Sequence, residues 1–434
     1  MFHRFHFVLA VLACSGAATV GLAQDNSGSD HMVVLTDTET NTRTESLRIT
    51  AKDFADVSPQ NQPAWFVEKT TLHGGKQEGC ELVTIDNGDL EIVVVPTRGM
   101  SVLRVTKKAN SNERDSAAVR FGWDSPVKEV VHPQYINLES RGGLGWLEGF
   151  NEWMVRCGLE YAGHPGKDVF TNNVGDKVEM DLTLHGKIGN IPASKVTVTV
   201  DREVPHRIRL QGIVNERMFY GPKLELITEI SVVPGEPTLR ITDTLVNHGA
   251  DEQEFQLIYH TNFGAPLLEK NARTVVAAEK IEPMNQNAAK SIDHFANYQA
   301  PTKGFIEEVY LVYPITDASG RTQAMLVNAA GDQAASVAWN TSQLPYLTIW
   351  KNTAAEADGY VTGIEPGTGF PFNRNIERHF GRVPKLAPGQ SRSFELEYGF
   401  HSGSEAVNKL EAEIRKLQTT PVVLKEKSPT LPSP

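Results

Sequence analysis

From Cys80 to Tyr398 the chain is cut into short runs of alternating apolar and polar residues, separated by Gly, Pro, Asn and Asp, with no helix-length stretch between them. Alternation with period two turns one side of a strand toward a core and the other toward solvent. A doubly wound parallel sheet needs a helix after nearly every strand, so that architecture is excluded. The pattern predicts an all-β fold, a large antiparallel sandwich.

The predicted strands are Glu81 to Asp86, Leu90 to Val95, Met180 to His185, Lys195 to Val200, Ile208 to Val214, Leu224 to Val233, Leu239 to Val246 and Phe255 to His260. Further runs are Val309 to Tyr313, Gln323 to Asn328, Ser336 to Trp339, Tyr346 to Trp350 and Phe394 to Tyr398. Asn87-Gly88 between the first two predicts a hairpin with a type I′ turn, which needs positive φ at both central residues. Pro126 to Pro165 breaks the pattern: aromatic, Gly-rich and weakly periodic, it predicts an ordered excursion over one face, of the kind that carries binding residues. Three of the six tryptophans, Trp123, Trp146 and Trp153, fall in or beside it together with Phe150. Near the C-terminus, Ser402 and Glu405 have capping-box spacing, and Val407, Leu410, Ile414 and Leu417 share one face of a short helix over 402–418. The Pro-rich residues 419–434 read as a disordered tail.

The N-terminus has a different character. Residues 1–23 carry Arg4, an apolar stretch from Phe7 to Cys14 and small residues ending at Gly21-Leu22-Ala23, the pattern of an export signal. The expectation is a periplasmic or extracellular protein beginning near Gln24, with Val11-Leu12-Ala13-Cys14 as a looser match to a lipidation box. No other stretch approaches the roughly 18 apolar residues of a membrane helix. Residues 24–71 read as a polar leader and N-terminal extension, ahead of a sandwich domain over 72–401. Cys80 and Cys157 remain after export; they form either a disulfide or two separate buried thiols.

The 434 residues, 40% hydrophobic, suffice for a substantial core, and a formal charge of -11 with no clustered Lys/Arg speaks against nucleic acid as a partner. A neutral or cationic small molecule fits better. Two histidines and a glutamate stand at predicted strand ends beside glycine or proline: His185 in Leu184-His185-Gly186, His260 in Tyr259-His260-Thr261-Asn262, and Glu365 in Gly363-Ile364-Glu365-Pro366-Gly367. Imidazole and carboxylate together supply general acid and base, and Asn262 is placed to orient the His260 ring. Glu365 sits in a turn-forming frame whose glycines, Gly363, Gly367 and Gly369, leave room for a ligand to approach. Arg98 suits either a polyol or a core carboxylate, and Asp243 a turn or ion pair. A zinc site from His164, His185 and His260 lacks an H-x-H, HExxH or CxxC spacing, so no metal or organic cofactor is called for.

Taken in order, Val95-Pro96-Thr97-Arg98-Gly99-Met100, Arg156-Cys157-Gly158-Leu159, Leu184-His185-Gly186, Asn190-Ile191-Pro192-Ala193, Tyr259-His260-Thr261-Asn262 and Glu365-Pro366-Gly367-Thr368 resemble the galactose-mutarotase-like superfamily, and within it a bacterial aldose 1-epimerase-like branch. The resemblance runs from about Leu72 to His401. It implies a β-supersandwich with a sugar on a concave sheet face, His260 as general acid, Glu365 as general base and His185 as a substrate-binding residue. Arg98, Asn262 and Trp153 complete the expected sugar contacts. Two departures bear on sugar choice: Lys187 follows Gly186 where a second glycine is usual, and Asn262-Phe263-Gly264 replaces an aromatic pair. The implied partner is a free pyranose. The other readings are a non-catalytic carbohydrate-binding protein on the same fold, and a lyase or hydrolase acting on an oligosaccharide, whose second acid would be Glu377 or Asp358.

Overall fold

The computed structural model describes residues 30–57, 63–109 and 118–432; the expected export segment lies outside them. Among the described residues, two large sheets of ten and thirteen strands pack face to face. Among the described strands pairing is antiparallel, except that Val423–Leu424 runs parallel to Ala278–Pro283. The expected alternation is plain in Ile208–Arg217, which is buried at every second residue. Leu210, Leu226, Ile241 and Leu245 of the ten-stranded sheet meet Leu257, Tyr259, Ile349 and Ile364 of the thirteen-stranded one in a single core. Full burial of each aliphatic side chain contributes roughly 1.5–3 kcal/mol.

Three neighbouring strands of the larger sheet, Met154–Leu159, Gln256–Phe263 and Val361–Gly367, are buried at every position. Their inner side chains face the other sheet. Their outer ones lie under the excursion, which runs through short turns at Pro133–Tyr135, Ser140–Gly143 and Gly145–Glu148. Trp123, Trp146, Phe150, Cys157 and Ile258 form a second apolar cluster there.

Several expectations need correction. The sandwich begins well before residue 72: His31–Asp37 pairs with Lys195–Val200, while Leu47–Thr50 and Phe66–Thr71 extend the larger sheet beyond Glu81–Asp86. Asp37 and Lys69 are charged residues on the buried side of these strands, and they break the apolar half of the alternation. At the Asn87-Gly88 hairpin only Gly88 has positive φ, so the turn is not type I′; the Asn87 side chain instead accepts from Asp89 and Leu90 N–H and donates to Val233 and Glu236 carbonyls. Lys177–Leu182 pairs with Gly166–Thr171 in a separate hairpin, which leaves His185 beyond the strand rather than at its end. The C-terminal helix is Ser404–Leu417 and Gly403 is its N-cap, so Ser402 caps nothing, although Val407 and Ile414 are buried as expected. The tail is ordered through residue 432: Gln418 donates to Ala278 O, and Val423–Leu424 adds to the sheet. Cys80 and Cys157 are separate buried thiols, not a disulfide. Among the described residues no helix is long and apolar enough to cross a membrane.

Candidate active site

Strand register assembles the site. Ile258 pairs with Gly367 and Asn262 with Gly363, which sets His260 directly opposite Glu365; on the next strand Thr348 pairs with Glu365, and on the other side Val155 pairs with His260. Directly opposed residues share a face, so these four side chains form one row on the outer surface of the sheet. Glu365 therefore lies within a strand and not in a turn. The glycines around it serve the protein rather than a ligand: a Cβ on Gly363 would fall 2.1 Å from Glu365 Oε1, and one on Gly369 would fall 2.6 Å from Glu377 Oε2.

His260 Nε2 lies 3.3 Å from Glu365 Oε1, an ion-pair distance without hydrogen-bond alignment. Glu365 Oε1 has no hydrogen-bond partner among the described residues, and neither has Thr348 Oγ1 beside it. His260 Nδ1 is 2.8 Å from Asn262 Oδ1. The Asn262 amide donates through Nδ2 to Glu152 O and His260 O, so Oδ1 is the acceptor and Nδ1 carries the hydrogen.

His185 reaches the same place from a loop. It adopts φ of 60°, a region side chains other than glycine seldom occupy, and its ring nitrogen Nδ1 lies 3.0 Å from Ala162 O. Gly186 next to it must be glycine, since a Cβ would sit 2.2 Å from Tyr161 O. The His185 and His260 rings meet edge-on at 5.2 Å, and Trp146 packs against both.

These groups line a cavity of about 680 Å³, a size suited to a small-molecule ligand. Trp146 and Phe150 from the excursion, with Trp123 just ahead of it, form one wall and Trp350 another. Glu307, which accepts from Trp350 Nε1 at 2.9 Å, Asp358 and His164 are exposed groups on the lining. Among the described residues no Lys or Arg lines the cavity.

Burial governs the titration of the site. It drives the His260 pKa well below the usual imidazole value, with nearby His185 acting the same way and Asn262 opposing it. His185 is pushed down to about 4, mainly by burial. Glu365 is raised well above the carboxylate range by burial and then by Glu307. Burial thus favours the neutral form of both groups.

Three of the expected sugar contacts lie elsewhere. Arg98 is fully buried beneath the excursion, ion-paired with Glu152 at 2.8 Å and bonded to the Gly189, Val131 and Gly149 carbonyls. It ties loops to the sheet. Trp153 points into the inter-sheet core, 4.9 Å from the Tyr398 ring. Asn262 is wholly buried and touches His260 rather than the cavity. Of the two proposed second acids, Glu377 is tied to Arg382 and Phe370 N away from the lining, whereas Asp358 is on it. Glu307, Thr348 and Trp350 escaped notice in the sequence; strand alternation places Thr348 and Trp350 on one face, but only register shows that it is the face of Glu365. Among the described residues no three His, Cys, Asp or Glu converge as a metal site, so the three histidines share a cavity without a ligand geometry.

A family of proteins described as "Domain of unknown function (DUF4432)" matches residues 77–400. The chain belongs to that family. A protein from Klebsiella pneumoniae subsp. pneumoniae, described as a "putative aldose 1-epimerase", is 42% identical, with a TM-score of 0.84 over 92% of this chain and 99% of its own. A galactose mutarotase-like protein from Clostridium acetobutylicum is 16% identical, with a TM-score of 0.50 over 76% of this chain and 97% of its own, and shares the fold alone. No protein of curated function matches the chain. The fold is the galactose mutarotase-like sandwich.

Proposed function

We propose that this protein is an aldose 1-epimerase that interconverts the anomers of a free pyranose. The observation that carries the reading is the direct cross-strand opposition of His260 and Glu365, 3.3 Å apart in an aromatic-walled cavity. Anomerisation needs one proton delivered to the ring oxygen and one removed from the C1 hydroxyl, and both oxygens are bonded to the same carbon. Two groups this close can serve both, each transfer being worth about 10²- to 10⁴-fold. Trp350 and the excursion aromatics offer apolar faces to a pyranose, and Glu307 and Thr348 offer polar contacts to its hydroxyls. The description of the 42%-identical Klebsiella protein points the same way. We place the protein outside the cytoplasm, on the strength of residues 1–23; N-terminal sequencing of exported material should begin near Gln24.

The test is a screen of freshly dissolved aldoses by polarimetry or NMR with and without the protein. Faster relaxation to the anomeric equilibrium for at least one sugar is expected. Sugar binding with no acceleration across the screen would leave a carbohydrate-binding protein, and cleavage of an oligosaccharide would point to Glu307 or Asp358 as a second acid.

A further inference from the structure

In Ile208–Arg217 the inward positions run Ile208, Leu210, Gly212, Val214 and Glu216, so a carboxylate stands where the alternation of the strand calls for an apolar residue. Glu216 is only 4% exposed and reaches across to the other sheet: Leu159 N–H donates to its Oε2 at 2.8 Å and Glu160 N–H to its Oε1 at 3.3 Å. We propose that Glu216 is a positioning residue for His185, fixing from the opposite sheet the segment 158–163 on which the His185 loop hangs, and with it the place of that ring on the cavity wall. The consequence for sugar binding rests on the anomerase reading of the site; the placement of His185 does not.

Hydrogen bonds connect the two residues without a break. Leu159 and Glu160 lie where the Met154–Leu159 strand leaves the sheet, and their neighbours carry the loop: Gly158 N–H donates to His185 O at 3.0 Å, Lys187 N–H to Gly158 O at 2.8 Å, and His185 N–H to Gly163 O at 2.9 Å. The His185 ring leans on the same segment, its Nδ1 lying 3.0 Å from Ala162 O. There is no slack between the two stretches of backbone, since a Cβ on Gly186 would collide with Tyr161 O and Gly158 O alike. A displacement of 158–163 therefore carries His185 with it. Besides Glu216, Gln256 anchors this segment, accepting from Ala162 N–H at a longer 3.4 Å.

The residue type fits the task. Two consecutive N–H groups need two acceptors, and a carboxylate offers both, whereas the amide of Gln offers one and turns a donor toward the other N–H. A side chain that only filled the core would be apolar, like Ile208, Leu210 and Val214 on the same face. Burial pushes the Glu216 carboxyl up, with Glu160 acting the same way and the Leu159 N–H and Lys187 opposing. A buried acid is thus kept against its own desolvation, and what it secures is the direction of the chain at the strand end. Lys187, which stands where a second glycine is usual, lies off the cavity lining and is one of the charges that favour the Glu216 carboxylate.

Glu216→Gln in the full-length protein tests this, with Leu210→Ala as the comparison: Leu210 is buried on the same face of the same strand, six residues away. The His185 ring is followed by histidine NMR across pH, its signal assigned by its absence in His185→Asn. The wild-type midpoint should lie near 4 and rise by about one unit or more in Glu216→Gln, as the ring is released toward water. Leu210→Ala should lower Tm and leave the midpoint in place. On an aldose that wild type anomerises, Glu216→Gln should raise KM about tenfold and change kcat less than about threefold. A midpoint unmoved in Glu216→Gln, or moved as far in Leu210→Ala, would make Glu216 a structural residue and overturn the proposal. Should Glu216→Gln fail to fold, Glu216→Asp, one methylene short of reaching both N–H groups, is read the same way. A wild-type protein that anomerises no sugar would remove the function and the KM reading, and the His185 titration would still decide the placement.

Discussion

The two faces of the Met154–Leu159, Gln256–Phe263 and Val361–Gly367 strands bury charge in opposite ways. On the inner face Arg156 donates to both Asp243 oxygens, to Met100 O and to Thr228 Oγ1, and Tyr259 OH donates to Asp243 at 2.8 Å. The lone pairs and hydrogens of that pair are well matched. On the outer face, one residue along the same strands, Glu365 and His260 meet at 3.3 Å without alignment, and Glu365 Oε1 and Thr348 Oγ1 stay unmatched. Equal burial with unequal satisfaction separates a group that holds the sheets together from one left available to a ligand.

The sharpest way to break that contrast is on the inner face. Asp243→Ala leaves Arg156 as an uncompensated buried charge and should cost roughly 3–5 kcal/mol of stability, read by denaturant unfolding. A loss under about 1 kcal/mol would mean that the inner pair does not hold the sheets.

Acid should act on the outer face. The unfolded chain protonates His185 near pH 6.5 while the folded one resists down to about 4, so its contribution is intact above about 6.5 and is lost as pH falls toward 4. His260 acts with the same sign. Glu365, raised on folding, has the opposite one: its favourable contribution is greatest below its unfolded value of about 4.5 and declines as pH rises. Between pH 7 and pH 5 His185 alone should remove about 2 kcal/mol, and in His185→Asn that loss should disappear from the pH dependence of unfolding. The same slope in wild type and variant would contradict the burial assigned to His185.

A smaller effect is expected at the cavity rim. Trp350→Phe keeps the ring face but frees Glu307 from its indole hydrogen bond, so KM should rise by roughly tenfold or less, about 1 kcal/mol, with kcat and Tm little changed. A selective fall in kcat would instead put Glu307 in the chemistry.

Much of the fold was legible because alternation reports burial directly: Glu81–Asp86, Leu90–Val95 and Lys195–Val200 occur with the expected bounds. His260 and Glu365 are brought together by strand register, and His185 reaches them from the loop before Gly186. What the sequence hid depends on contacts between distant segments. Arg98 and Trp153 look like sugar contacts by residue type, but the first answers to Glu152 and three loop carbonyls and the second to Tyr398 in the other sheet. Thr348 and Glu307 carry no local mark, and only the pairing of Thr348 with Glu365 and the Trp350 contact to Glu307 bring them to the site.

The most direct measurement is Glu365→Gln, followed at once by anomerisation rate and by Tm. If the outer face serves chemistry, the variant loses at least about 10²-fold in rate on an aldose that wild type anomerises, while Tm holds or rises, most visibly at alkaline pH where wild type bears the cost of a buried carboxyl. A falling Tm with an undiminished rate would make Glu365 a structural residue like Asp243 and contradict the account.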